Sequence, residues 1–415
     1  MSMSGYLPRF ATHRVREALD DMPIVVLQGA RQVGKSTLMA MIAQESHAVT
    51  LTLDDPDTLL IAQEDPRAIV AAHPAGLLAI DEAQRAPELI LPLKASVDAR
   101  RRPGSYLLTG SADLLHVKGV GDSLAGRAER IELLPLSQGE IRGRSTPEDF
   151  VTWLAGSPVS FRADALDVND VLRGGYPAIH SRSLQRRLRW FRDYVERLSQ
   201  HDAKELAGGG YSKHLHELLR YTGALGSAEY VRRGLARHLG VAESTVDAYW
   251  RTALTMCLIV EIPAWNRIPH RRLIKKPKAF LVDTGLSAAL SGATPASIMH
   301  PGGREYYGSL VEQFVALELR KQQVWTSTPF DLFHFRESDG LEVDIVVETF
   351  DGKLIAIEVK STTTPTKAHW RNLERFKDRY PERDVTGVLL HTGSGRSMQL
   401  HDWLHVTPIT TLWQH

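Results

Sequence analysis

Gly29, Gly34, Lys35 and Ser36 fit the pattern G-x-x-x-x-G-K-[ST] without a mismatch. Glycines at those places let the backbone curl until its N–H groups face an anion, and a helix starting at the lysine adds positive potential. Such a loop takes the phosphates of ATP. Lys35 is expected to reach the β- and γ-phosphates, and the Ser36 hydroxyl to ligate Mg²⁺. The whole segment (Gly29, Ala30, Arg31, Gln32, Val33, Gly34, Lys35, Ser36 and Thr37) is the expected P-loop. Further on, GLLAIDEAQ is an apolar run ending in Asp81 and Glu82. An acid at the end of a buried strand beside a P-loop is where a Walker B aspartate holds Mg²⁺. Asp81 is therefore expected at the metal, through water, and Glu82 as the general base for an attacking water. The run SYLLTGSADLL ends in Thr109, Gly110 and Ser111, whose hydroxyls stand where a γ-phosphate is sensed.

A second constellation lies near the other end of the chain. The segment LEVDIVVETFDGKLIAIEVKS carries Asp344, Glu358 and Lys360, and the helical run before it carries Glu312. This D…E-x-K spacing resembles that of restriction-endonuclease-like nucleases. There, two carboxylates (here Asp344 and Glu358) hold Mg²⁺ while the lysine steadies water or phosphate. Strand geometry constrains the match, because Glu358 and Lys360, two apart, share a face. A two-residue turn at Asp351-Gly352 sets Asp344 opposite Val359, the wrong face. A three-residue loop, Phe350-Asp351-Gly352, with its glycine left-handed, sets Asp344 opposite Glu358.

These residues need a scaffold. MPIVVLQGARQVGKSTLMAMIAQ predicts a buried strand, the loop and then a helix. The other two apolar runs predict neighbouring strands, and SLAGRAERIELLPLS places Arg127 just ahead of a further strand. Residues 141–205 read as helical, with arginines on a solvated face, as in SLQRRLRWFRDYVERLSQ. Within them Arg173, just before Gly174-Gly175-Tyr176-Pro177, is a candidate to contact nucleotide from a lid. Residues 230–262 read as helix, turn at Gly240-Val241, and a second helix from Ser244. Leu235, Leu239, Val241, Val246, Tyr249, Leu254 and Leu258 form the core of this helix-turn-helix. Residues 265–278 follow with six Arg or Lys and no acid. That order resembles a winged helix. In a DNA-binding use, Ser244 and Thr245 would face the major groove while Arg271, Arg272, Lys275 and Lys276 meet phosphates.

At 415 residues the chain exceeds one ordinary core. We expect 1–140 as a P-loop ATPase core, 141–205 as a helical lid or connector, 206–300 as a winged helix-turn-helix and 301–415 as a nuclease-like α/β domain. A 43% hydrophobic and 24% charged composition excludes disorder, and a net charge of +1 excludes a general polycation. Gly208-Gly209-Gly210 is a short flexible tract. The single Cys257 permits no intrachain disulfide. No apolar run approaches a membrane span and the N-terminus lacks a secretory pattern, so a cytoplasmic location without membrane contact is expected.

The order P-loop strand, Asp-Glu strand, polar-ended strand, arginine, strand resembles the AAA+ ATPases. Together with LAGR, RGGYP and EVD…IEVKS it resembles bacterial and archaeal AAA-type ATP-binding proteins that carry a C-terminal domain of unknown function. The resemblance implies an α/β ATPase core, a winged-helix middle and a nuclease-like C-terminal fold, with ATP and Mg²⁺ as cofactors. It also implies an arginine finger acting across a subunit interface, carried here by Arg127 with Arg130 and Arg31 as alternatives. A finger in trans makes the chain a homo-oligomer. The expected function is ATP hydrolysis coupled to engagement of DNA; a nucleotide-dependent switch with an inactive nuclease-like domain is the alternative. The protein partner is left open.

Overall fold

A computed structural model describes residues 7–73, 75–111, 124–147, 149–156, 160–202, 212–227 and 229–415. Gly208-Gly209-Gly210 lies outside them. The chain gathers into two compact units: Met1–Leu136 with Tyr176–Ala178 and Leu254–Leu258, and the remainder.

The first unit opens with helix α1 (Ala11–Asp21), which leads into β1 (Ile24–Gln28), α2 (Lys35–Glu45) and β2 (Val49–Thr52). After α3 (Pro56–Glu64) and α4 (Pro66–Ala71) come β3 (Leu78–Asp81), α5 (Ile90–Ala99), β4 (Tyr106–Gly110) and β5 (Ala128–Glu132). The five strands form one parallel sheet in the order β2-β3-β4-β1-β5. The apolar runs explain this arrangement: IVVLQ, LAID and YLLTG are buried along their full length, as strands covered on both faces must be. The registers Ile24↔Tyr106 and Leu78↔Tyr106 start β1, β3 and β4 level with one another. Their carboxyl ends therefore lie along one edge of the sheet, where ligands of open α/β sheets bind.

The chain continues through helices α6 (Phe150–Ala155), α7 (Val168–Arg173), α8 (Leu184–Arg197), α9 (Ser212–Leu225), α10 (Arg232–Leu239) and α11 (Glu243–Thr255). Gly240, left-handed at φ +66°, ends α10. Strands β6 (Ile259–Ile262) and β7 (Lys278–Leu281) then pair antiparallel around the basic segment. Helices α12 (Thr284–Ser291) and α13 (Pro301–Gln322) precede β8 (Phe330–Arg336), β9 (Glu342–Thr349) and β10 (Leu354–Lys360). After α14 (Arg371–Arg379) come β11 (Val385–His391), β12 (Met398–His401) and β13 (Leu404–Pro408). The sheet order is β12-β13-β11-β10-β9-β8. On β10, Ile355, Ile357 and Val359 enter one core with Phe314 and Val315 of α13. Leu354 and Ala356 enter another core with Phe376 of α14.

Two of the expected boundaries cut through continuous packing. Phe150, Val151 and Leu154, from the expected connector, share a core with Phe314, Val315 and Leu319. Phe150 N–H also donates to Gln322 Oε1 at 2.9 Å. Trp265, placed in the winged segment, is fully buried among Phe335, Leu341 and Phe376 of the C-terminal sheet and helix. Each segment buries apolar side chains against the C-terminal sheet and its helices.

Of the expected helix-turn-helix core, Leu235, Val246, Tyr249 and Leu258 are buried, while Leu239, Val241 and Leu254 are half-buried. Ser244 is exposed at the start of α11 and Thr245 half-buried. Among the arginines of α8, Arg186, Arg189 and Arg192 are exposed, and Arg187 turns inward to donate to Arg182 O at 3.0 Å.

Candidate functional site

The loop between β1 and α2 is shaped by its glycines. A Cβ at Gly29 would meet Leu133 O at 2.1 Å, so only glycine lets the chain after β5 pass. Gly34 has φ +100°, a conformation that glycine adopts without strain, and it caps α2. Arg9, which carried no role in the sequence reading, braces the loop from outside the motif. Its guanidinium donates to Val33 O and to Leu134 O, each at 2.6 Å.

Lys35 is buried, and its ammonium donates to Gly29 O at 2.9 Å and Ala30 O at 3.0 Å. Burial pulls its pKa below the ordinary lysine value, with Glu82 and Asp81 acting in the opposite sense. Ser36 Oγ donates to Asp81 Oδ1 at 3.0 Å. The same carboxylate oxygen accepts a hydrogen bond from Thr109 Oγ1. Thr109 Oγ1 also accepts the Glu82 N–H at 3.2 Å, so one hydroxyl ties Asp81, the last residue of β3, and Glu82 after it to the end of β4. Glu82 itself is left-handed, at φ +55°. A non-glycine residue held there marks a constrained position. Its Oε2 accepts from Ser111 Oγ at 3.2 Å and from Gln84 Nε2, which in turn donates to Ser111 Oγ at 3.1 Å.

The expected residues Lys35, Ser36, Asp81, Glu82, Thr109 and Ser111 thus stand together. Thr109 and Ser111 hold the two acids in place. Gln84 belongs to this set and was missed; its signal was the IDEAQ run itself, where it follows Glu82 by two. Ala30 and Val33 are buried within the loop, and Arg31, Gln32 and Thr37 are exposed along it.

The donors present fit a nucleotide triphosphate with Mg²⁺: a glycine-shaped cradle, a buried ammonium, and a hydroxyl paired to a carboxylate. Arg127 lies apart from this cluster. Its Nε is 2.6 Å from Asp98 Oδ1 on α5 and holds that carboxyl below the usual range. Arg130 is exposed on β5. In the second unit Gly174 packs against Asp283, where a Cβ would come within 2.0 Å of Oδ1, and Gly175 N–H donates to Asp283 Oδ2 at 2.6 Å. Asp283 also caps α12 through Leu286 N–H at 2.9 Å. The RGGYP glycines are therefore explained by a buried cap.

The C-terminal constellation assembles on β9, β10 and α13. The pairing runs from Glu348↔Leu354 to Ile345↔Ile357 around a three-residue loop, with Gly352 at φ +88°. This is the register that sets Asp344 opposite Glu358. Asp344 Oδ2 accepts the Val359 N–H at 2.8 Å and lies 4.0 Å from Lys360 Nζ. Lys360 Nζ also donates to Glu358 Oε1 at 2.6 Å, while Glu358 Oε2 is buried with no hydrogen-bond partner.

Burial, followed by the charge of Asp344, pushes the Glu358 carboxyl up to about 8. The same two causes push Glu312 up to about 7. Glu312 accepts from Lys278 Nζ at 2.7 Å and from Ser227 Oγ at 2.6 Å. Burial opposes the charge on Lys278, yet Glu312 and Asp344 outweigh it and hold the ammonium above its ordinary value. Lys278 is the residue that sequence reasoning missed here: it was counted only as part of a basic run. Among the described residues no three His, Cys, Asp or Glu side chains gather as a metal cage. Asp344 and Glu358 face each other on β9 and β10, with Lys360 bonded to Glu358.

Half of the basic run is bound inward. Arg272 pairs with Glu348 at 2.6 Å and its guanidinium lies 4.7 Å over the Phe333 ring. Lys275 Nζ donates to Arg336 O at 3.0 Å. Of the cations expected at phosphates, Arg272 and Lys275 are thus held by the protein's own groups, while Arg271 and Lys276 are exposed.

A model described as an AAA domain matches residues 21–142. Models of two domains of unknown function, DUF8612 and DUF4143, match residues 168–297 and 307–412. The uncharacterized protein Rv2008c of Mycobacterium tuberculosis is 30% identical over 364 residues, which span 86% of this chain and 75% of that protein. Among solved structures, the Walker-type ATPase PABY2304 of Pyrococcus abyssi aligns with a TM-score of 0.43 at 16% identity, covering 68% of this chain and 94% of its own. The RuvB Holliday junction branch migration motor of Thermotoga maritima aligns with a TM-score of 0.32 at 19% identity, covering 66% and 97%.

Proposed function

This chain, an AAA-type P-loop ATPase, belongs to the same family as the M. tuberculosis protein, and from that premise we propose that it hydrolyses ATP and uses the nucleotide cycle to govern engagement of DNA. The observation that carries the ATPase reading is the bonded set at the strand ends: Ser36 to Asp81, Asp81 to Thr109, Thr109 to the Glu82 backbone. In it, Lys35 exchanges its loop carbonyls for the β- and γ-phosphate oxygens, and the loop N–H groups bind the remaining charge. Ser36 and Asp81 would hold Mg²⁺, which supplies further neutralisation of phosphate charge. Glu82, fixed by Gln84 and Ser111, orients the attacking water and accepts its proton. Arg127, released from Asp98, serves a neighbouring subunit of a homo-oligomer.

For the second unit, the reading is a winged helix-turn-helix joined to a nuclease-like sheet. Asp344 and Glu358 would hold Mg²⁺ there, and Lys360 would position water or a phosphate. A second reading, a DNA-binding module that no longer cuts, draws support from Lys278: its ammonium already neutralises Glu312. No helix among the described residues is long and apolar enough to cross a membrane.

The test measures ATP turnover by the full chain with and without duplex DNA, and strand cleavage with Mg²⁺. Turnover that rises with DNA supports coupling, and turnover indifferent to DNA removes it. Cleavage that vanishes in Asp344→Asn supports the nuclease, whereas DNA binding without cleavage at any Mg²⁺ concentration supports the binding module.

A further inference from the structure

Leu273 and Ile274 are adjacent and 88% and 79% exposed, the two most exposed large hydrophobic residues among those described. They sit in the loop between β6 and β7, whose charged residues are all basic. From Pro263 to Pro277 there is no acid, and Arg267, His270, Arg271 and Lys276 are all exposed. Arg267 is 3.5 Å from Glu382; Arg271 and Lys276 have no ion-pair partner among the described residues.

The loop is firmly held on both sides of its tip. Before the tip, Trp265 N–H donates to His334 O at 2.7 Å, and His334 N–H donates to Pro263 O at 3.0 Å. Arg272, next to Leu273, donates to Asn266 O at 2.7 Å as well as pairing with Glu348. After the tip, Lys275 binds Arg336 O, and the Lys276 carbonyl is 3.0 Å from His334 Nε2. Two inward cations thus fasten the loop while two outward cations flank an apolar point.

We propose that Leu273 and Ile274 form a wedge that enters the base stack of duplex nucleic acid, with Arg271 and Lys276 on the flanking phosphates. This rests on the DNA-engagement reading above and says how that engagement is made. Apolar side chains inserted at a base step, with basic residues on the backbone, unstack the step and kink the duplex. Charge selects this occupant: the exposed Arg271 and Lys276, with no ion-pair partner among the described residues, complement phosphates on either side of an apolar stack. A lipid surface fits less well. Surface-binding segments bury the whole face of an amphipathic helix, whereas here two side chains project from a loop whose one helical turn is Pro269–Arg272.

The experiment uses the full chain and duplexes carrying 2-aminopurine, whose fluorescence rises when its step unstacks. Binding is followed by anisotropy across a salt series. Wild type is expected to bind with a salt-dependent Kd and to raise the fluorescence. Leu273→Ser/Ile274→Ser, changed only at exposed positions, keeps the salt-dependent binding and loses the rise, because the wedge contact and the unstacking cost largely offset. Arg271→Gln/Lys276→Gln makes the log Kd against log salt slope shallower by about two phosphate contacts, at roughly 0.9 each. Wild-type binding without a rise, or a rise retained in the serine variant, overturns the wedge and leaves DNA engagement standing. No duplex binding, with or without capture by phosphatidylserine vesicles, overturns the engagement reading and the wedge with it.

Discussion

The chain contains two sets of acids placed beside lysines, and it treats them in opposite ways. In the first unit Asp81 accepts only from hydroxyls, Ser36 and Thr109, and Glu82 from Gln84 and Ser111. Neutral donors leave the carboxylates' charge available to a cation. In the second unit the charge is already met: Lys278 clasps Glu312, Lys360 clasps Glu358, and burial pushes both carboxyls towards neutral pH. Under the proposed reading the first site would take a metal as it stands, while the second would have to give up a proton or a lysine before taking one. A P-loop lysine works from the opposite direction, since it turns to backbone carbonyls and leaves its acids free.

That contrast breaks most visibly at Lys278. Lys278→Met leaves Glu312 buried beside Asp344 without its ion-pair partner, and removing one partner of a buried pair costs about 3–5 kcal/mol. Because Glu312 can escape by taking a proton, the loss measured in urea melts should be larger at pH 8 than at pH 6. A variant as stable as wild type at both values would mean that the lysine is not what neutralises this site.

His334 sharpens the comparison on the scaffold beside that site. Burial, with Lys278 nearby, drives its pKa down to about 4 from an ordinary 6.5. It is thus neutral in the fold, and the unfolded chain binds the extra proton between those values. Stability contributed by His334 is therefore full above pH 6.5, falls as pH drops through the window, and levels near pH 4. The change is on the order of 3 kcal/mol. His334→Gln should remove that portion of the acid sensitivity in melts taken from pH 7 to 4; an unchanged profile would refute the assignment.

The smallest effect concerns register. Gly352→Ala puts a side chain at φ +88° and should cost about 1 kcal/mol. A gain in stability would show that the loop holding Asp344 opposite Glu358 is not strained by a Cβ.

What was legible follows the same division. The phosphate loop could be read because its chemistry is contiguous: the strand, the glycines, Lys35 and Ser36 lie within one short segment. Asp81 and Glu82 were legible because a continuous apolar run delivers them to a strand end. The β9–β10 register was also local, decided by Phe350-Asp351-Gly352. What could not be read was tertiary. Arg9 reaches Leu134, Lys278 reaches Glu312, and Trp265 fills a core with Phe335 and Phe376. No periodicity in either partner encodes such pairings. The basic run showed the limit plainly, since its sequence cannot say that Arg272 and Lys275 turn inward while Arg271 and Lys276 face solvent.

Glu82 is the residue proposed to activate water for ATP hydrolysis at the P-loop site. The most direct test of that role is single-turnover hydrolysis by Glu82→Gln beside a measurement of MgATP affinity on the same protein. The predicted result is a hydrolysis rate lower by about 10²–10⁴ with affinity preserved, the signature of a lost general base. Hydrolysis at the wild-type rate by that variant would contradict the claim.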